Sequence, residues 1–235
     1  MTARTKYNMA NKQGKKYVAA AKQIEARLYS LVEAVPLVKK IKFTKFDETL
    51  EVHMRLGVDP KHADQMVRGT VVLPHGLGKT KRILVIASGD KLREAQEAGA
   101  DFVGGEELVN KIMTEQWLDY DAVIATPDMM RSVGKLGKVL GPRGLMPSPR
   151  AGTVTADISK TVSEYRAGKV EFRNDPTGIV HAVVGKASFD AAQLVANIKA
   201  FVDHIQAMQP SSVRGQFVRS VSISATMTPG IMVAA

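Results

Sequence analysis

The hydrophobic pattern of this chain changes period twice, and that change limits the fold more than any single motif does. "DETLEVHMRL" (47–56) alternates cleanly, with Leu50, Val52, Met54 and Leu56 on one side and Thr49, Glu51, His53 and Arg55 on the other. Such alternation marks an antiparallel strand with one wet face. "GTVVLP" (69–74) predicts a second short strand. The middle of the chain is different. "ILVIA" (83–87) and "DAVIATPD" (121–128) are short continuous apolar runs, as in strands covered on both faces. Around them, "DKLREAQEAGA" (with Asp90 as N-cap), "EELVNKIMTEQW" and segments near 128–140 and 157–167 predict helices, and "DFVGG" a short strand. Strand and helix alternate there, which predicts a small doubly wound α/β unit.

After Gly168 the first style returns. "KVEFRNDPTGIVHAVVG" (169–185) predicts two strands joined by a turn at 174–178. "SFDAAQLVANIKAFVDHIQAM" (188–208) predicts an amphipathic helix with Leu194, Ile198, Phe201 and Ile205 on its apolar stripe. "QFVRSVSISATM" (216–227) closes as a strand, with Phe217, Val221, Ile223 and Ala225 opposite Ser220, Ser222, Ser224 and Thr226. Near the start, Tyr17, Ala20, Ala21, Ile24, Leu28, Leu31 and Val32 recur at helical spacing and predict one helix over 11–34. A chain of 235 residues has room for one large or two small domains. The expected fold is an α+β domain built from both chain ends (1–74 and 169–235), with an inserted α/β Rossmann-like three-layer domain (75–168). Hinges fall near 73–80 and near 168.

The first crossing contains "LPHGLGKTKR" (73–82), which has the vocabulary of a phosphate loop. A Walker A loop ending at Gly78-Lys79-Thr80 would need glycine at 73, where Leu73 stands, and Lys81 occupies the third glycine of a dinucleotide fingerprint. An apolar strand follows where a helix should open. The glycines therefore serve a turn between strands.

Charge follows the same partition. Residues 1–74 hold 14 Lys/Arg against 7 Asp/Glu, and 169–235 hold 6 against 4, whereas 75–168 hold 13 against 12. The two ends thus carry +9 of a net +10, the footprint of a polyanion binder, though a merely soluble basic surface is the alternative. Lys12, Lys15, Lys16 and Lys22 crowd the start of the first helix against its dipole, which suits either an external anion or a solvated tail. The segment 129–156 contains no acid and presents Arg131, Lys135, Lys138, Arg143 and Arg150, either as a phosphate contact or as a surface loop.

Several function classes lose support. No apolar run approaches the ~18 residues of a membrane span, and the first sixteen residues have no apolar core, so neither membrane nor secretory signal is expected. Cysteine is absent and no H-x-x-x-H pair occurs, so no metal or other cofactor is expected. No hydrolase or protease signature is present. An enzyme binding a nucleotide or phosphate on the Rossmann-like middle is the second reading, and it rests on fold style alone.

Two features favour RNA. "TKFDET" (44–49) sets Phe46 beside Lys45, an aromatic–cation pairing common at RNA contacts, although a core phenylalanine is the competing explanation. The hydroxyl row 220–226 could reach ribose and phosphate oxygens, or could be an ordinary wet face.

Together "KFDETLEVHMRLGVDP", "QMVRGTVVLPHGLGK", "EAGADFVGGEEL", "DAVIATPDMM", "LGPRGLMPSPRAGTV", "VEFRNDPTGIVHAVVGKASF" and "FVRSVSISATMTPG" resemble bacterial ribosomal protein L-one, the stalk family of the large subunit. The resemblance spans about residues 45–230, and the first forty or so match only loosely. It implies the two-domain fold above and a cytoplasmic, non-enzymatic protein that binds the stalk region of large-subunit rRNA. It also implies help in release of E-site tRNA, repression through its own operon mRNA, and a monomer outside the ribosome. By motif it implies RNA contacts at Lys45, Phe46, Thr49, Asp175, Ser220, Thr226 and Met227. The family usually reads T-M-G-P where this chain has Thr226-Met227-Thr228-Pro229. Thr228 is expected either to weaken the contact or to add a hydroxyl to it.

Overall fold

The computed structural model describes residues 14–213 and 215–234. Helix α1 covers Lys15–Ala21 and α2 Leu31–Ile41. Strands β1 (Thr49–Leu56) and β2 (Arg68–Val72) follow. The middle holds β3 (Ile83–Ile86), α3 (Lys91–Glu97), β4 (Phe102–Gly104), α4 (Glu106–Glu115) and β5 (Ala122–Ala125). Single-turn pieces come next, among them α5 (Met130–Val133) and α6 (Gly137–Leu140), and then α7 (Ile158–Ala167). The chain ends with β6 (Lys169–Arg173), β7 (Ile179–Lys186), α8 (Ala191–Ala207), β8 (Val218–Ala225) and β9 (Ile231–Val233).

This is a mixed α/β fold with antiparallel and parallel sheets. One sheet is antiparallel throughout, in the order β7-β1-β8-β9. The alternation in β1 has its expected consequence: Leu50, Val52, Met54 and Leu56 are buried, while Thr49, Glu51, His53 and Arg55 are not. Helices α2 and α8 cover the apolar face with Val35, Val38, Leu194, Ile198, Phe201 and Ile205. Each such side chain contributes roughly 1.5–3 kcal/mol on burial. The second sheet is parallel, order β4-β3-β5. β3 is apolar without interruption because both of its faces are covered. Leu84 and Ile86 pack with α4 and the 129–140 turns, and Ile83 and Val85 with α3 and α7.

One apolar core draws its buried residues from 20–73 and 170–233, and the other two draw theirs from 83–165. The chain passes between these cores twice, and the passages run side by side. β2 pairs antiparallel with β6, Val72 opposite Lys169. Beyond this ribbon Gly76 and Gly168 touch: a Cβ on Gly168 (φ +107°) would stand 2.5 Å from Gly76 Cα. Gly78 (φ +71°) lies against Phe189, where a Cβ would be 2.7 Å from the ring. The loop glycines are therefore required by turning and close approach. Asn197 of α8, fully buried, pins the outgoing passage by accepting from His75 N–H (3.0 Å) and donating to Gly76 C=O (3.1 Å) and Val184 C=O (2.8 Å).

Three local expectations are corrected. The single helix over 11–34 is two helices, with turns and bends after Ala21; residues 11–13, including Lys12, lie outside the described residues. Leu28 and Val32, placed on the stripe, are 63% and 71% exposed. Tertiary pairing outweighs local period here. Buried Tyr29 is held extended beside β9, donating to Met232 C=O (3.0 Å) and accepting from Ala234 N–H (2.9 Å), and Ser30 then caps α2. Asp90 precedes α3 in a helical conformation and its side chain caps nothing. The helix near 128–140 is broken into single turns, with glycine at 134 and 137. The two strands joined by a turn at 174–178 are present as expected, and they enter different sheets, with β6 beside β2 and β7 beside β1.

Candidate nucleic-acid interface

The residues singled out in the sequence gather mainly at one end of the antiparallel sheet. β1 begins there and β8 ends there, so Thr49 lies beside Thr226. The Thr226 hydroxyl accepts from Thr49 N–H (3.0 Å), and Lys186 Nζ donates to the Thr49 hydroxyl (2.7 Å). Beneath them sits Glu48, fully buried. Its carboxylate accepts from Met227 N–H (3.2 Å) and from the Thr44 hydroxyl, while its backbone C=O accepts from Ala187 N–H (2.8 Å). One side chain and its own backbone thus tie together three loops. Asp47 adds a further tie, accepting from Ser188 N–H (3.0 Å) and the Ser188 hydroxyl (2.8 Å).

The outcome is a rigid rim with two apolar side chains turned outward. Phe46 is 52% exposed and Met227 49% exposed, with exposed Lys45 beside Phe46. The core alternative for Phe46 does not hold; Phe43, three residues earlier, packs on the core instead. An exposed aromatic and a thioether on a braced loop offer faces on which an unpaired base can stack, and Lys45 offers charge to its phosphate.

Thr228 behaves differently from the other site candidates. It is 7% exposed, and its hydroxyl accepts from Ala225 N–H (2.8 Å) inside the turn. The expectation of an added outward hydroxyl is corrected: the group is committed to the fold. Asp175 is committed too. Its carboxylate accepts from Thr177 N–H (2.9 Å), the Thr177 hydroxyl (2.7 Å) and Ile179 N–H (2.7 Å). Burial works to raise its pKa, but these bonds and the nearby His181 hold it below the usual carboxylate value.

Asp175 and Ser220 are not at the rim. Ser220 pairs in register with Arg55, six residues along β1 from Thr49 or about 20 Å at strand rise. The candidates therefore form a strip along the wet face, with the rim at one end and the Asp175 turn at the other. His53, Ser222 and Ser224 fill the centre. His53 Nδ1 lies 2.8 Å from His181 Nδ1, and His53 Nε2 lies 3.0 Å from the Ser224 hydroxyl. His181 Nε2 is 3.7 Å from Asp175 Oδ2. Burial, and next the neighbouring His181, push the His53 pKa down, while Glu51 acts in the opposite direction.

The basic segment stands apart from this strip. Arg131, Lys135, Lys138, Arg143 and Arg150 are all exposed on the short turns between β5 and α7. Arg143 also lines a cleft of about 470 Å³ together with Thr49, Lys79, Lys81, Asp121 and Lys186. Within it Lys79 pairs with Asp121 (2.8 Å), and Lys81 donates to Lys169 C=O (2.6 Å). The cleft's cations are therefore partly engaged by the protein itself. Among the described residues no group of three or more His, Asp or Glu is placed to hold a metal ion.

Sequence reasoning missed Glu48, Lys186 and the histidine pair. Glu48 carried a signal, since it stands in the even-numbered register whose other members, 50 to 56, all face the core. Lys186 and the pairing of His53 with His181 depend on strand register across more than a hundred residues, for which one sequence has no marker.

A model of the Ribosomal protein L1p/L10e family matches residues 38–229. Among curated proteins, the large ribosomal subunit protein uL1 of Solibacter usitatus (strain Ellin6076) is 66% identical over 225 residues, covering 96% of this chain and 95% of the relative.

Proposed function

Since the chain belongs to the Ribosomal protein L1p/L10e family, whose members are structural ribosomal proteins and not enzymes, we propose that it binds the stalk region of large-subunit rRNA through the wet sheet strip and its rim. The enzyme reading of the middle segment falls with that membership. The observation that carries the proposal is the rim itself: buried Glu48 and the Thr49–Thr226 bond hold Phe46 and Met227 outward beside Lys45. Preorganised apolar faces beside a cation suit unstacked bases and their phosphates, and lose little entropy on binding. Lys45, Phe46, Thr49, Thr226 and Met227 make the first contacts, and Ser220 extends them along the strip. Asp175 and Thr228 shape the turns that flank it.

The same proposal assigns 1–74 and 169–235 to one RNA-binding domain and 75–168 to an inserted domain. The separate cores and the surplus positive charge of the ends support this division. The inserted domain, with Arg131, Lys135, Lys138, Arg143 and Arg150, then faces the E-site tRNA, and the protein is a monomer off the ribosome. A similar fold in its own operon mRNA would compete for the same strip, which makes the protein a repressor of its own synthesis.

The test is a salt titration of binding to the rRNA stalk segment beside a scrambled hairpin of equal length, with wild type and Thr226→Ala. Wild type should prefer the cognate RNA as salt rises, because base and shape contacts survive when counterion release is suppressed. Thr226→Ala should weaken cognate binding about tenfold while leaving the thermal unfolding transition cooperative. Equal, steeply salt-sensitive binding of both RNAs would overturn the reading.

A further inference from the structure

The centre of the strip contains a chain of polar groups that crosses three strands: His181, His53 and Ser224 are hydrogen-bonded in turn, and Asp175 lies at ion-pair distance from His181. The Nδ1–Nδ1 separation of 2.8 Å between the rings requires one nitrogen to carry a proton and the other a lone pair. The Asp175 carboxylate, 3.7 Å from His181 Nε2, favours a proton on that nitrogen. In the neutral chain His181 Nδ1 is then the lone pair, and His53 donates to it from Nδ1. His53 Nε2 is left as an acceptor, so the Ser224 hydroxyl must donate inward across 3.0 Å. In that state Ser224 presents only lone pairs to the surface, which repel a phosphate oxygen.

One added proton reverses the outer end. It can only go to His53 Nε2, because every other ring nitrogen is already a donor or accepts from His53. The imidazole pair then carries one positive charge, His53 Nε2 donates to Ser224, and the Ser224 hydroxyl hydrogen turns outward. The change adds a positive charge and converts a surface acceptor into a donor, and both favour an anion.

The surroundings leave that proton decisive. On β1 the strip presents Glu51 and Arg55, and on β7 and its preceding turn Lys186 and Asp175. β8 offers Ser220, Ser222 and Ser224 on this face and exposed Arg219 at the bulge between Ser220 and Val218, and β9 offers Met232 opposite Ser222. Arg55 and Arg219 stand at the Ser220 end of the strip and Lys186 at the Thr49 end, so between them the imidazole pair adds or withholds a positive charge. Burial and the neighbouring His181 lower the pKa of His53 and so favour its neutral ring, a shift that a bound anion would oppose.

We propose that Asp175, His181, His53 and Ser224 form a proton-coupled site for an RNA phosphodiester at the centre of the sheet face. The proposal rests on the RNA-binding reading above and adds a specific site and a linkage to it. Affinity for the stalk RNA should rise about tenfold from about pH 8 to about pH 5.5, as for a ligand coupled to the uptake of one proton. Linkage gives the sign: a ligand that prefers the protonated form binds more tightly as pH falls.

The experiment measures Kd for the rRNA stalk hairpin and the scrambled hairpin across that range at fixed salt. Wild type, His53→Asn and Ser224→Ala are compared, with thermal melts at both pH extremes. Calorimetry near pH 6.5, in two buffers of different ionisation enthalpy, counts protons taken up. The expected result is a tenfold rise and net proton uptake in wild type, no rise in His53→Asn, and a reduced rise in Ser224→Ala. Ser224→Ala retains both imidazoles, so it reports on the chain if His53→Asn melts early. A cognate preference that is flat with pH, or that rises equally in all three proteins, overturns the proton-coupled site and leaves the RNA reading standing. Equal binding of cognate and scrambled RNA at every pH overturns both.

Discussion

Glu48 shows how one residue can make a surface by being buried beneath it. Its carboxylate is the acceptor for Met227 N–H and the Thr44 hydroxyl, which come from loops that no other single side chain joins among the bonds described above. Glu48→Ala leaves both donors without a partner in a dry site, and hydrogen bonds to a charged group contribute about 1.5–3 kcal/mol each. The substitution should lower unfolding stability by about 2–4 kcal/mol in a urea titration and weaken cognate RNA binding at least as much as Thr226→Ala does. Stability within about 0.5 kcal/mol of wild type would remove Glu48 from this role. At this scale the sequence was half legible. Phe46, Thr49 and Thr226 could be singled out from their pattern, but Phe43 and Phe46 are equivalent on paper. Only the fold of the 44–48 turn sends one inward and the other out.

Among the elements, the two passages between cores carry the strongest constraints. Gly76 and Gly168 approach so closely that a methyl group on Gly168 has no room, and its φ of +107° is strained for any L side chain. Gly168→Ala should therefore cost about 1–3 kcal/mol, read as a lowered urea midpoint with unchanged slope. Asn197 constrains the same place from α8 with three hydrogen bonds, all to backbone. Asn197→Ala should cost about 2–4 kcal/mol and speed amide exchange at His75 before the rest of the sheet. Uniform exchange across β1, β7 and the passage would show that Asn197 supports the whole fold and not this passage. The strands and α8 were legible because their periods are long and regular. The start of the chain was not, because Tyr29 gives up helical geometry to pair beside β9. Yet Ser30-x-x-Glu33 before Ala34, Val35, Val38 and Ile41 did carry a start signal for α2.

At the scale of the molecule, the division of charge and of cores predicts that the part built from 1–74 and 169–235 folds by itself. The buried residues of its core stop at Leu73 and resume at Val170, so removing 75–168 takes none of them away. Leu77 packs against that core only from a partly buried position. Geometry favours the cut as well, since the passages pair in register to Val72–Lys169 and Gly76 touches Gly168. The ends to be rejoined are neighbours, and a linker of about two glycines closes them with little loop entropy. The cost lies at Asn197, which loses the His75 and Gly76 partners and keeps Val184. A variant lacking 75–168 should therefore unfold cooperatively with a lower midpoint, and Asn197→Leu should restore part of the loss in that background. Its affinity for the rRNA stalk segment should stay within about tenfold of the full chain, because the rim and strip come wholly from the retained segments. The salt slope should fall little, since the removed part carries a net charge of only +1 (13 Lys/Arg against 12 Asp/Glu). A folded variant that binds cognate and scrambled hairpins alike would move the specificity to 75–168. The exposed arginines and lysines of 131–150 would then be the residues to mutate.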